Sequence, residues 1–200
     1  MDSYLTINNP IGPILFKEKK SKFYGYVFPV TDEDQVKEQI ELLKKEYPTA
    51  NHVCYAWQMG VEDRAYRAND DGEPNNSAGM PIYGQLQSFD ITNVLVAVVR
   101  IFGGTKLGVG GLISAYKETA KLALEEAKIV KKILQKKVNI FFEYPEMDTV
   151  MRLVKKHQLH IISQELHLKC KIELSVPKSD FKKTIKLLKA HHKLTIQTEL

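Results

Sequence analysis

Val94-Leu95-Val96-Ala97-Val98-Val99 is an unbroken apolar run inside Ile91–Phe102, and from it the chain passes through Gly103-Gly-Thr-Lys-Leu-Gly-Val-Gly-Gly111 into residues 112–127. A half-buried strand alternates, so a strand without polar positions predicts cover on both faces. The segment after the glycines predicts a helix from Leu112 to Ala127, with Leu112, Tyr116, Ala120, Ala123, Leu124 and Ala127 gathered apart from Ala115, Thr119, Leu122 and Glu126. Upstream, Lys22–Val30 reads as a strand ending at Pro29. Asp32–Tyr47 reads as a helix capped by Thr31 or Asp32 and stopped by Pro48, its apolar stripe being Val36, Ile40, Leu43 and Tyr47. His52–Met59 reads as a strand. Gly60–Met80, polar and without either period, reads as a long loop, a kind that is usually functional or mobile.

Downstream the pattern restarts: strand Lys137–Tyr144, helix Glu146–His157, strand His160–Leu166, strand His167–Val176, helix Lys178–Ala190 and strand Leu194–Glu199. This β-α-β-β-α-β order is the ferredoxin-like arrangement, two helices on one face of a four-stranded antiparallel sheet. Leu168, Cys170, Ile172, Leu174 and Val176 alternate with His167, Lys169, Lys171, Glu173 and Ser175, so one sheet face is core and the other wet. In the last helix Phe181, Ile185 and Leu188 face inward, and Lys182, Lys186, Lys189 and Lys193 form an outer row. The fold class is α+β, with one domain over residues 1–130, a joint at Lys131–Lys137 and a second domain over residues 136–200.

At 200 residues, 44% hydrophobic and 26% charged, the chain is of ordinary globular composition, which excludes collagen-like, disordered and coiled-coil classes. No apolar stretch approaches the length of a membrane span, and the N-terminus shows no secretory pattern, so no membrane partner is expected. Two cysteines more than a hundred residues apart make neither a disulfide framework nor a four-ligand zinc site, and a reducing cytoplasm is the expected compartment. Charge is split. Residues 1–130 hold 14 Lys+Arg against 17 Asp+Glu, whereas residues 131–200 hold 15 against 7, with five of the six histidines. The basic portion is the candidate for RNA, and a solvated lysine coat is the plain alternative.

Gly103, Gly104, Gly108, Gly110 and Gly111 let the backbone approach a ligand and aim amides at an anion, with Lys106 and Arg100 adding charge. Neither the Walker spacing nor the dinucleotide fingerprint is present, and tight packing of the turn would also demand glycine. Asp70-Asp71-Gly72-Glu73-Pro74 offers Asp70, Asp71 and Glu73 as acid, base or cation ligands; an acidic turn capped by Gly and Pro is the alternative. His52 and Cys54 share one strand face, as ligands, as a nucleophile with its base, or as a histidine beside an inert buried thiol. No metal site or cofactor is assigned. Lys19-Lys20-Ser21-Lys22 is a further basic cluster.

Lys20-Ser-Lys-Phe23, Ala50-Asn-His-Val-Cys-Tyr-Ala56, Asp70-Asp-Gly-Glu-Pro74 with Ala78-Gly79-x-Pro81, and Arg100 through Leu112 with Ala115-Tyr116 resemble, in that order, the YigZ/IMPACT family. The likeness covers residues 1–127, and the remainder resembles the small C-terminal domain of the bacterial members. It implies an N-terminal β-α-β domain like a ribosomal protein and the GHMP kinases, then a ferredoxin-like domain like those of elongation factor G. Eukaryotic members regulate translation by competing for a protein partner, aided by an N-terminal RWD domain that this chain is expected to lack. The resemblance brings a candidate surface and no reaction, so catalytic residues stay unassigned.

Three functions are compatible with these residues. The first is a translation-associated regulatory protein that binds RNA, the ribosome or a translation factor, using the glycine loop with Lys106 and Arg100 and the second domain's Lys169, Lys171, Lys182, Lys186 and Lys189. The second is an enzyme on a phosphorylated small molecule, with the loop holding phosphate, the acidic turn binding Mg²⁺ or moving a proton, and His52 assisting. The third is a protein-interaction module. A cleft shared by the acidic turn and the glycine loop favours catalysis; separate positions favour binding.

Overall fold

A computed structural model describes residues 3–198. The chain separates into two compact units, Tyr4–Lys132 and a second from Ile133 onward.

The first unit holds β1 (Ser3–Ile7), β2 (Ile11–Glu18), β3 (Ser21–Pro29), α1 (Glu33–Glu46), β4 (His52–Met59), β5 (Ala65–Asn69), α2 (Gly79–Ser88), β6 (Val94–Ile101), α3 (Gly108–Glu126) and β7 (Ile129–Ile133). Its main sheet has the order β2-β3-β6-β4-β5, and β1 pairs with β7. β6 lies at the centre, antiparallel to both β3 and β4, so those two run parallel on either side of it and are joined through α1. Every residue from Val94 to Val99 is fully buried. Val94, Val96 and Val98 enter a core with Ile82 and Leu86 of α2 and Tyr116 and Ala120 of α3. Leu95, Ala97 and Val99 enter another with Val36, Ile40 and Leu43 of α1. At the start of α1 Asp32 accepts from the Gln35 amide at 2.8 Å while Gln35 reaches back to the Thr31 amide at 2.9 Å, a reciprocal cap that selects Asp32.

Residues 60–80 correct the expectation of an unstructured loop. They contain β5, paired with β4 from Tyr55↔Asn69 to Met59↔Ala65, and the beginning of α2. Ala-Tyr-Arg-Ala-Asn has no apolar alternation because β5 is an edge strand with its first three residues exposed. Gly79-Met-Pro-Ile-Tyr-Gly is a poor helix sequence on propensity, and burial of Ile82 and Leu86 overrides it. α3 likewise starts at Gly108 rather than Leu112, and β7 occupies part of the expected joint.

The second unit holds β8 (Gln135–Glu143), α4 (Met147–Lys156), β9 (His160–Glu165), β10 (Lys169–Pro177), α5 (Lys178–Lys189) and β11 (Thr195–Thr198). Its sheet is antiparallel throughout in the order β11-β8-β10-β9. Cys170, Ile172, Leu174 and Val176 are fully buried and meet Val150 and Leu188 from the helices. Leu168, expected in that inward series, is 90% exposed, because β10 begins only at Lys169 and Leu168 sits in the turn before it. Glu199, expected in the last strand, lies outside the described residues. Among the described residues no helix is long and apolar enough to cross a membrane.

Because the units have separate cores, Leu174→Ala is expected to destabilise only the second, by about 2–5 kcal/mol. Scanning calorimetry of the whole chain should resolve two transitions with one displaced. Equal displacement of both would contradict independent cores.

Candidate functional site

The acidic turn is an assembly of backbone hydrogen bonds. Asp70 accepts from the amides of Ala78 (3.0 Å) and Gly79 (2.8 Å) on one oxygen and of Asn76 (2.9 Å) on the other, which sets the start of α2. Asp71 accepts from the Val53 amide at 2.7 Å and from Lys44 at 3.0 Å. The Asp71 carbonyl accepts from His52 Nδ1–H at 2.8 Å. That bond fixes the ring and turns Nε2 toward the Glu73 side, 3.9 Å from its Oε1. Both aspartates are therefore consumed in holding the turn against β4.

Glu73 goes inward. Its Oε1 receives Arg100 Nη1–H at 2.5 Å and the Tyr116 hydroxyl at 2.8 Å, with the Glu73 and Arg100 side chains only 4% and 7% exposed. Arg100 stands at the end of β6 between the rings of Phe23 and Phe102, 5.6 and 5.5 Å from their centroids. Its Nε–H is buried and finds no partner. Behind the pair, Cys54 Sγ–H donates to the Asp70 carbonyl at 3.0 Å and lies 3.3 Å from the Tyr116 oxygen. Burial pushes the Cys54 thiol well above its ordinary value, which makes it an inert core group, and burial raises the Tyr116 phenol in the same way. In the sequence Tyr116 is a member of an apolar helix face and of the family motif, with no polar role assigned. The usable signal was chemical: a buried tyrosine hydroxyl needs a polar partner.

The glycine loop closes the other wall. Gly103 has no room for a side chain, since a Cβ there would lie 2.0 Å from the Lys20 carbonyl carbon; its amide donates to Ser21 at 3.2 Å. The close-packing explanation thus applies at Gly103. It also brings the Lys19-Lys20 turn, both residues at positive φ, against the loop, a proximity the sequence left open. Gly108 has φ +73 and opens α3. Leu107 precedes it as a cap residue without a side-chain hydrogen bond, and no acid occupies the first turn, so the leading amides of α3 lack side-chain partners. Gly104 and Gly110 have open space around them. The two walls enclose a cleft of about 440 Å³ lined by His52, Glu73, Arg100, Phe102, Lys106 and Gly108, among others. The acidic turn and the glycine loop share it.

The second unit's lysines do not form one surface. Lys169 and Lys171 lie on the open sheet face, where Lys171 approaches Glu165 at 3.6 Å and Lys137 pairs with Glu173 at 3.0 Å. Lys182, Lys186 and Lys189 are exposed on α5, which covers the opposite, apolar face through Leu188. Lys193, expected in that row, follows α5 and is paired with Glu146 at 2.5 Å. Among the described residues no group of three or more His, Cys, Asp or Glu side chains is placed to hold a metal ion.

This fold, with a polar network beneath one cleft, defines a two-unit α+β protein with a pocket in its first unit. The Impact N-terminal domain family matches residues 19–124, and the chain belongs to that family. It is 30% identical over 173 residues to IMPACT family member YvyE of Bacillus subtilis (strain 168), covering 86% of this chain and 78% of that protein. It is 29% identical over 181 residues to IMPACT family member YigZ of Escherichia coli (strain K12), covering 88% and 87%. A crystal structure described as that of an hypothetical protein is similar over 100% of this chain and 98% of its own, with TM-score 0.74 and 25% identity.

Two outcomes check the site. Gly103→Ala should cost roughly 3 kcal/mol by overpacking against backbone, whereas Gly110→Ala should be neutral or stabilising by up to about 1 kcal/mol. Urea titration separates them, and equal effects would contradict the packing. The folded state also holds the Cys54 proton more tightly than the unfolded chain does. The associated stability is complete below the ordinary thiol value of 9.0 and declines as pH rises above it. Cys54→Ala should flatten that alkaline decline; an unchanged pH profile would contradict it.

Proposed function

We propose that this chain is a translation-associated regulatory protein that acts by binding the phosphate groups of RNA at the cleft of its first unit. The supporting observation is that the uncapped start of α3 borders the same cleft as Lys106 and Arg100. Helix amides and fixed cations together favour an anion. The Lys20 backbone seats against Gly103, so the Lys19-Lys20 turn lies beside the glycine loop and adds basic residues to that neighbourhood. Translation enters through the family, whose eukaryotic members regulate it as the resemblance implies, and a translation-factor partner fits the same role. We read the second unit as ferredoxin-like on its strand order, and its two lysine faces as auxiliary, nonspecific contacts. The first unit is read as the ribosomal-protein and GHMP-kinase type of domain on its β3-α1-β4 crossover.

A shared cleft is also the geometry expected of an enzyme on a phosphorylated small molecule, and His52 Nε2, free of a close hydrogen bond, keeps that reading open. Binding takes precedence because Asp70 and Asp71 are spent on backbone amides and Glu73 on Arg100 and Tyr116. Release of inorganic phosphate from phosphomonoesters, lost in His52→Ala, would reverse that precedence.

Ribosome co-sedimentation and filter binding to ribosomal RNA at two salt concentrations test the proposal. Affinity should fall steeply with salt. Lys106→Ala should weaken binding by about fivefold and lower the salt slope by about one, with stability changed by less than about 0.5 kcal/mol. Binding that is absent, salt-insensitive or unaffected by Lys106→Ala would overturn it.

A further inference from the structure

Three features of the cleft bear on which phosphate it accepts. The first turn of α3 directs backbone amides at it with no side-chain cap. Arg100, one of its lining residues, is 6% exposed and retains a buried Nε–H without a partner, although its Nη1 is matched to Glu73. His52 presents Nε2, because Nδ1 is held by the Asp71 carbonyl. Donors thus come from the start of α3 and from Lys106, while the Arg100 guanidinium lines the cleft paired with the Glu73 carboxylate, beside the Nε2 of His52.

An internal phosphodiester offers two free oxygens and a single charge, and both flanking sugars must leave the site. A phosphomonoester offers three oxygens and nearly two charges at neutral pH, with its second ionisation near pH 6. The cleft's volume of about 440 Å³ is that of a small-ligand pocket rather than of a groove for a continuous strand. At its rim Phe102 is 41% exposed, with the Arg100 guanidinium on one side of its ring, which leaves a platform for a nucleobase.

We infer that the cleft takes a nucleoside monophosphate, either free or as the phosphorylated end of an RNA, with the phosphate at the start of α3 and Arg100 and the base on Phe102. This inference rests on the phosphate-binding reading above and narrows it from internal phosphates to a terminal one.

The test uses the full chain with fluorescence-labelled RNA decamers of one sequence carrying a 5′-phosphate, a 3′-phosphate or hydroxyls at both ends, alongside AMP, adenosine and inorganic phosphate as competitors. One phosphorylated decamer should bind at least about tenfold more tightly than the hydroxyl form, and AMP should compete better than either adenosine or phosphate. Lys106→Ala and Phe102→Ala, both at exposed positions, should each erase most of that difference while circular dichroism shows the fold intact. Binding of AMP without any RNA binding would support the terminal-phosphate site and overturn the RNA reading. Equal affinity for all three decamers with no competition by AMP would overturn the inference and leave the RNA reading standing. Failure of every ligand to bind would overturn both.

Discussion

The buried pair of Glu73 and Arg100 ties the first unit together at the point where its chemistry is concentrated. Arg100 ends the central strand, Glu73 belongs to the acidic turn, and the Tyr116 hydroxyl from α3 shares the same carboxylate oxygen. Two charges withdrawn from water are expensive unless geometry and extra hydrogen bonds compensate, and removing one partner of such a pair typically costs about 3–5 kcal/mol. The remaining bonds of the acidic turn support the pair. Asp70 starts α2, Asp71 clamps β4, and the Asp71 carbonyl orients His52. The acidic side of the cleft is thus held by several hydrogen bonds at once, and its cationic groups are placed by elements that pack into buried apolar cores.

Much of this was legible in the sequence where one physical rule dominated. The apolar run Val94–Val99 required cover on both faces, and its side chains divide alternately between the cores under α2 and α3 and under α1. The alternation from Cys170 to Val176 fixed the second sheet's inner face. The pattern misled at Leu168, where alternation continued into a turn, and across residues 60–80. There the edge strand Ala65–Asn69 and helix Gly79–Ser88 are held by partners distant in the chain rather than by their own propensities.

The candidate site was legible as a set of residues and not as an arrangement. Glycines, carboxylates, His52, Lys106 and Arg100 could each be singled out, yet nothing in their spacing said that Arg100 would be buried against Glu73 or that Gly103 would seat the Lys20 backbone. Pairing changes their chemistry. Asp70 and Asp71, attractive as acid or base by type, are spent as acceptors for amides. Tyr116 and Phe102 lie within the quoted motif, but their roles were not visible there: Phe102 lines the pocket, and the buried Tyr116 donates to Glu73. The lysines of the second unit, read in sequence as a wet sheet face and an outer helix row, occupy those separate faces, and Lys137, Lys171 and Lys193 lie near glutamates. Net charge alone therefore overstates what that unit offers a polyanion, and the proposed reading rests recognition on the first unit's cleft.

That claim is tested most directly by titrating the ¹⁵N-labelled full chain with AMP and following each amide and the arginine Nε–H groups by NMR. The account predicts saturable shifts concentrated at Gly108, Val109 and Gly110 and at Arg100 Nε–H, with the second unit little changed. Shifts confined to the lysines' neighbours on β10 and α5, with the start of α3 unmoved, would contradict it.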